Sequence, residues 1–272
     1  MKQPIGIFDS GYGGLTVLKE IVHILPQYDY LYLGDNARAP YGTRSFETVY
    51  EYTLECVQWL FSQGCSLVIL ACNTASAKAL RTIQQTYLPT IDASKRVLGV
   101  IRPTAEVLGN YSTTKHIGIL ATNGTVQSQS YPIEIEKFYP SIQVYQQACP
   151  MWVPLIENNE QHTEGANYFI KKDVQNLLQQ NATIDTILLA CTHYPLLTES
   201  IQQLVAKNIT ILSQGKIVAN SLKDYLGRHP EIDHNCSKNQ QMQFYTTDST
   251  QDFDNHAINF FGKNIKSTHL SL

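Results

Sequence analysis

Short, almost unbroken apolar runs recur along the chain, and most are followed by a stretch with helical spacing. IGIF (5–8) leads into a Gly-rich turn and then LTVLKEIVHIL (15–25), and YLYLGD (30–35) leads into a loop and a long pattern ending near Leu60. SLVILAC (66–72) runs into NTASAKALRTIQQTY, and RVLGVI (96–101) and HIGILAT (116–122) are each followed by helix-like sequence. TILLAC (186–191) precedes THYPLLTESIQQLVA, and NITILS (208–213) precedes a further helical stretch. Strands that alternate with helices at this spacing predict βαβ units and a parallel sheet. The runs are continuously apolar rather than alternating, as strands covered by helices on both faces should be.

Two of these runs are alike. LVILACNT (67–74) and TILLACTH (186–193) both end an apolar strand in Ala-Cys-polar and then open a helix. They lie too far apart for a solenoid repeat, so the likeness points to two similar α/β halves. Each would present a cysteine at the carboxyl end of a strand, where open α/β sheets place their ligands. The expected fold class is α/β, with two similar α/β domains, mainly parallel sheets, and the active site in the cleft between them. The turn around Gly99–Pro103 and the polar Ser213-Gln214-Gly215 are the expected places where the chain crosses between halves.

Composition narrows the function. The 272 residues are 43% hydrophobic, enough for a packed core, and only 16% are charged, against about 25% for an average soluble domain. Neutral Gln and Asn make up the difference. A net charge of −3 with no basic block argues against nucleic acid as the main partner. The six cysteines are dispersed and form no CxxC pair, which excludes a disulfide scaffold, a zinc ribbon and a thioredoxin-type motif. No signal-peptide pattern opens the sequence, and no apolar stretch approaches the roughly 20 residues of a membrane helix. A cytoplasmic protein away from the membrane is therefore expected, with its thiols reduced and available for chemistry.

Asp9-Ser10-Gly11-Tyr12-Gly13-Gly14 follows the first strand and opens a helix. It fits neither a GxGxxG fingerprint nor a P-loop. One reading is a tight turn capped by Asp9 or Ser10; the other is an anion cradle with Asp9 free for proton or ammonium contacts. Cys72 and Cys191 each sit where strand meets helix, so helix N–H groups can stabilise a thiolate. Each is followed by hydrogen-bonding residues, Asn73-Thr74 and Thr192-His193. Cys56, Cys65, Cys149 and Cys236 lack that setting and are expected to be structural. His193, two residues after Cys191, suits an acid or base assisting that cysteine, or a helix cap. No third metal ligand stands at suitable spacing, so no metal is expected. Asp35 and Glu157 are acids near predicted element ends.

A Cys–His–Asn hydrolase uses one nucleophilic cysteine, and an equivalent second cysteine is redundant there. A racemase needs two acid/base groups on opposite faces of one carbon: a thiolate that removes the proton and a thiol that returns it. Inverting the substrate only exchanges their roles, so equivalent residues on two similar halves suit that reaction.

DSGYGGL (9–15), PYG (40–42), ACNTASA (71–77), GILATNGTV (118–126), CPMWVPLIE (149–157) and ACTHYPLL (190–197) occur in order along nearly the whole chain. Together they resemble the glutamate racemases of the aspartate/glutamate racemase superfamily. The resemblance implies an enzyme without cofactor that interconverts L- and D-glutamate and supplies D-glutamate for peptidoglycan. Cys72 and Cys191 match the two catalytic cysteines, Cys72 acting on the D- and Cys191 on the L-enantiomer. Asp9 and His193 match the residues that assist them, with Asp35 and Glu157 in support. Ser10, Tyr41, Gly42, Asn73, Thr74 and Thr192 match substrate-binding positions, and Thr122 and Thr125 are further contacts. The implied fold has residues 1–98 and 212–272 in one α/β domain and 99–211 in the other, and the expected assembly is a homodimer. Ala190 stands where Gly commonly precedes the second cysteine, and Ser213-Gln214-Gly215 stands where an Asp-containing turn is more usual. The short stretch before the first strand implies no activation by a uridine-linked muramyl precursor. The alternatives are a racemase for aspartate or another amino acid, a catalytically silent amino-acid-binding protein, and a cysteine hydrolase of small amides.

Overall fold

The computed structural model describes residues 3–92 and 94–272. Its strands are β1 (Ile5–Asp9), β2 (Tyr30–Gly34), β3 (Leu67–Leu70), β4 (Arg96–Gly99), β5 (His116–Ala121), β6 (Gln143–Ala148), β7 (Thr186–Ala190), β8 (Thr210–Ser213), β9 (Met242–Thr246) and β10 (Ser267–His269). They form two sheets, a six-stranded one in the order β10-β9-β2-β1-β3-β4 and a four-stranded one in the order β6-β5-β7-β8. Every pairing of these strands is parallel. The chain passes from the first sheet to the second after β4 and returns after β8. The outward passage follows Gly99, the end of β4, and β8 carries the second sheet through Ser213 before the return.

The apolar runs form strands because helices cover both faces of each sheet. Leu31, Leu33, Val68 and Leu70 of the first sheet pack with Val49, Val57, Leu60 and Phe61 of the helix Phe46–Ser62. Ile117, Ile119 and Leu188 of the second sheet pack with Ala105, Leu108 and Ile135. A third cluster runs beneath both sheets: Ile5, Ile7, Leu15 and Leu18 join Ile187, Leu189, Trp152 and Tyr194. The helix Gly215–Arg228 adds Val218, Ala219, Leu222 and Leu226 to it. Each fully buried leucine of this kind stabilises the fold by about 1.5–3 kcal/mol, so the two halves share one continuous apolar floor. Helix ends are set locally. Ser45 accepts from the Thr48 N–H and Ser249 from the Asp252 N–H, while Gly262 ends the helix Thr250–Phe261 with φ 82°.

Three strands lie outside the apolar runs. β6 (QVYQQA) and β10 (STH) are sheet edges, and β9 (MQFYT) buries fully only Phe244 and Thr246. Edge strands face water along one side, so they tolerate polar sequence that carries no strand signature.

Register places the chemistry. In the second sheet Ala121 lies opposite both Ala148 and Ala190, so Thr122, Cys149 and Cys191 leave neighbouring strand ends side by side. In the first sheet the Ala71 N–H donates to Phe8 O at 2.8 Å and the Asp35 N–H to Asp9 O at 3.0 Å. The segments Asp9–Ser10, Asp35 and Ala71–Cys72 therefore leave that sheet together.

Candidate active site

The carboxyl ends of the two sheets face one cleft. Ser10, Tyr41, Gly42, Cys72, Asn73 and Thr74 line it from the first half. Thr122, Glu157, Cys191, Thr192 and His193 line it from the second. The two cysteines that ended look-alike strands in the sequence thus meet across a single cavity.

On the first side, Cys72 is the N-cap of the short helix Asn73–Lys78, and its Sγ accepts from the Ala75 N–H at 3.4 Å. Ser10 Oγ lies 3.4 Å from the same sulfur. Burial and the nearby Asp9 charge push the Cys72 thiol up to about 12, against the smaller opposing pull of Ser10 and Ala75. The group at rest there is a thiol, a proton donor. Asp9 is fully buried behind it. Its Oδ2 accepts from the Gly11 N–H at 3.0 Å, and its Oδ1 has no hydrogen-bond partner in the protein. Burial raises the Asp9 pKa above the usual carboxylate range, with His193 opposing. The Gly-rich segment is therefore a turn tied by Asp9. Gly13, not Ser10 or Asp9, precedes the helix Gly14–Ile24, without a side-chain cap.

On the second side, His193 Nδ1 lies 3.9 Å from Cys191 Sγ, and His193 Nε2 lies 2.8 Å from Glu157 Oε1. Burial disfavours charge on the ring, but the hydrogen bonds to Cys191 and Glu157 and the Glu157 charge outweigh it and raise the His193 pKa from 6.5 to about 10. His193 is accordingly an imidazolium at neutral pH. Its contribution to stability is complete below pH 6.5 and is lost as pH rises through about 10. Replacing the carboxylate in Glu157→Gln should draw this pKa back, because an adjacent opposite charge shifts a group by about one to three pH units. The alkaline limb of the kcat/KM–pH profile should move down by that amount. A limb that stays in place would show that His193 is not the titrating group.

Hydroxyls connect the halves. Thr74 Oγ1 lies 3.0 Å from Thr122 Oγ1, and the latter donates to Thr125 Oγ1 at 3.1 Å. Thr16 donates to Thr192 O at 2.8 Å. Glycine allows the closest approaches. A Cβ on Gly13 would fall 2.2 Å from Thr192 Oγ1, and one on Gly124 would fall 2.9 Å from Lys78 Cε and 3.0 Å from Gly42 O.

Not every expected residue reaches the cavity. Asp35, expected with the acid/base groups, is buried away from the lining. It accepts from Tyr41 Oη and from Thr247 Oγ1 at 2.8 Å, and pairs with Arg38 Nε at 2.7 Å. It holds Tyr41, which does line the cleft. Thr125 and Asp9 also stand behind the lining, Thr125 bonded to Thr122 and Asp9 beneath the turn. Cys149 corrects the sequence expectation in the other direction. It is in the cleft wall with Pro150, Val153 and Pro154, because β6, which delivers it, was invisible as a strand. Cys56, Cys65 and Cys236 are buried free thiols outside the lining. The Thr250–Phe261 helix was missed as well: Phe260 meets the His193 ring edge-on at 5.2 Å, and His256 Nε2 lies 2.8 Å from Glu157 O. Among the described residues no three His, Cys, Asp or Glu side chains converge as metal ligands do.

Comparison with known proteins follows the same lines. Residues 5–222 match the family described as Asp/Glu/Hydantoin racemase. The chain is 38% identical to the glutamate racemase of Paracoccus denitrificans, over 96% of this chain and 98% of that one. Among solved structures it is similar to glutamate racemase isoform RacE1 from Bacillus anthracis, with a TM-score of 0.90, 33% identity, and 99% and 98% of the two chains covered. It is also similar to the glutamate racemase from Francisella tularensis in complex with D-glutamate, with a TM-score of 0.87, 30% identity and the same coverage.

Proposed function

The chain belongs to the Asp/Glu/hydantoin racemase family, among its glutamate racemases, and from that premise we propose that it interconverts L- and D-glutamate through two thiols, Cys191 and Cys72. The observation that carries the mechanism is that both cysteines, each at the carboxyl end of a strand in its own half, line one cavity.

With L-glutamate bound between them, the Cys191 thiolate takes the α-proton and the Cys72 thiol delivers one to the opposite face, leaving D-glutamate, a Cys191 thiol and a Cys72 thiolate. The reverse reaction exchanges the roles. His193, held by Glu157, brings a cationic N–H beside Cys191, and Asp9 and Ser10 attend Cys72. The α-proton of an amino acid is far less acidic than a thiol, so the developing carbanion needs fixed dipoles in a site closed to water. Ser10, Asn73, Thr74, Thr122 and Thr192 supply such dipoles, and Tyr41 and Gly42 complete the wall.

Separate solutions of L- and D-glutamate, incubated with the protein and no added cofactor, should each lose their circular-dichroism signal. A stable signal in either direction would overturn the reading. The same reading extends to a cytoplasmic homodimer that supplies D-glutamate for peptidoglycan. No described helix is long and apolar enough to cross a membrane. Sedimentation at the mass of one chain would overturn the assembly, and growth of a depleted strain without added D-glutamate would overturn the supply role.

A further inference from the structure

Gln214 stands where the chain returns from the second sheet to the first, and its side chain is 3% exposed. It lies in a ring of hydrogen bonds whose directions are all determined. The ring is anchored at the backbone carbonyl of Val100, at the outward crossing, which can only accept. Thr104 donates its single hydroxyl proton there at 2.7 Å, so Thr104 Oγ1 accepts from Gln214 Nε2 at 2.9 Å. The other Nε2 proton goes to Tyr131 Oη at 2.6 Å. Tyr131 in turn has one proton, and it donates to Asn73 Oδ1 at 2.6 Å. Asn73 Nδ2 closes the ring by donating to Gln214 Oε1 at 2.7 Å. Hydroxyls and amides have fixed inventories of donors and acceptors, so reversing the Asn73 amide would set two oxygens against each other at Gln214. Asn73 lines the cleft immediately after Cys72.

We propose that Gln214 is a positioning residue for racemisation, locking the Asn73 amide in one orientation on the Cys72 side of the cleft and tying both chain crossings to that side chain. A carboxylate at position 214 could accept from Asn73 but could donate to neither Thr104 nor Tyr131. The hydrogen bonds at position 214 therefore require a side chain that donates and accepts together. The proposal rests on the two-thiol reading, in which Cys72 faces D-glutamate.

The test compares Gln214→Glu, Tyr131→Phe and the double variant. Tyr131→Phe removes one oxygen from a buried ring and leaves its packing intact, so it serves if Gln214→Glu does not fold. Each single variant should lower kcat/KM about tenfold, as the loss of one or two orienting hydrogen bonds does. The double variant should be little worse than the weaker single one, because both act through Asn73. The discriminating readout is the α-deuterium isotope effect on kcat/KM for each enantiomer. Impairing transfer at Cys72 makes that step more limiting, so the effect should rise with D-glutamate and fall with L-glutamate. A general loosening of the fold would not separate the two. Unchanged kcat/KM, isotope effects that move together, or the opposite asymmetry in a folded variant would overturn the proposal. Failure of the unmodified protein to racemise glutamate would instead overturn the reading beneath it.

Discussion

Cys72→Ser and Cys191→Ser should each abolish racemisation, with a loss of at least about 10³-fold in kcat for both directions. A proton moved by a correctly placed acid or base contributes about 10²–10⁴-fold, and a serine hydroxyl keeps the shape while losing the ability to exist as an anion near neutral pH. The two losses should be equally complete even though the surroundings of the sulfurs differ. Cys72 has Ser10, a backbone N–H and the Asp9 carboxyl about it, whereas Cys191 has the His193–Glu157 pair. A turnover of L to D must use both groups once, so the better-supported side cannot compensate for the other. Polarimetry on each enantiomer provides the measurement. Near-normal turnover by either variant would exclude the two-thiol mechanism, and a variant active on one enantiomer alone would contradict an equilibrium constant that symmetry holds at unity.

Gly13→Ala should cost about 100-fold in kcat/KM while the protein remains folded. The backbone there has φ −58° and ψ −37°, which any residue adopts, so no conformational strain is involved. The cost is steric. The new methyl would lie 2.2 Å from Thr192 Oγ1 and 2.4 Å from His193 Nδ1, and both neighbours are buried. They must retreat from the first half, taking Cys191 with them, and displacement of a reacting group by about 1 Å is worth about 10²-fold. Gly227→Ala is the control: a Cβ there meets nothing within 4 Å. In the last turn of the helix Gly215–Arg228 that change should be neutral or stabilising, by up to about 1 kcal/mol. Thermal unfolding and steady-state kinetics on both variants separate the effects. Full activity in Gly13→Ala would mean that the two halves do not need this close approach.

What was legible in the sequence follows from burial. β1, β2, β3, β5 and β7 were visible because strands covered on both faces are built from unbroken apolar residues, and the edge strands β4 and β8 were visible because they keep the apolar pairs Val97-Leu98 and Ile211-Leu212. β6, β9 and β10 were not, because polar residues are tolerated along β6 and β10 at the sheet edges and through most of β9. The same divide runs through the site. Cys72 and Cys191 stood out because each interrupts an apolar run at the point where a strand must end. Cys149 did not, since its strand is QVYQQA, and Asp35 looked like an acid at a strand end although it faces Tyr41 and Arg38 inside the fold. Gln214 and Phe260 act on residues over a hundred and over sixty positions away, respectively. Spacing carries no trace of such contacts. The one local hint was Ser213-Gln214-Gly215, where the resemblance leads to the expectation of an Asp-containing turn.

The strand order of the first sheet bears on how the chain becomes competent during synthesis. β9 and β10 extend that sheet from β2, yet they are made after the whole second half. The helix between them carries the Phe260 ring that abuts His193 and the His256 that meets Glu157. A ribosome that has passed β8 has therefore produced all the strands of the second sheet and a first sheet still waiting for its outer strands. Contacts of such long sequence separation form late and slowly. Racemisation should thus begin only once β9, β10 and the helix between them have joined the first sheet.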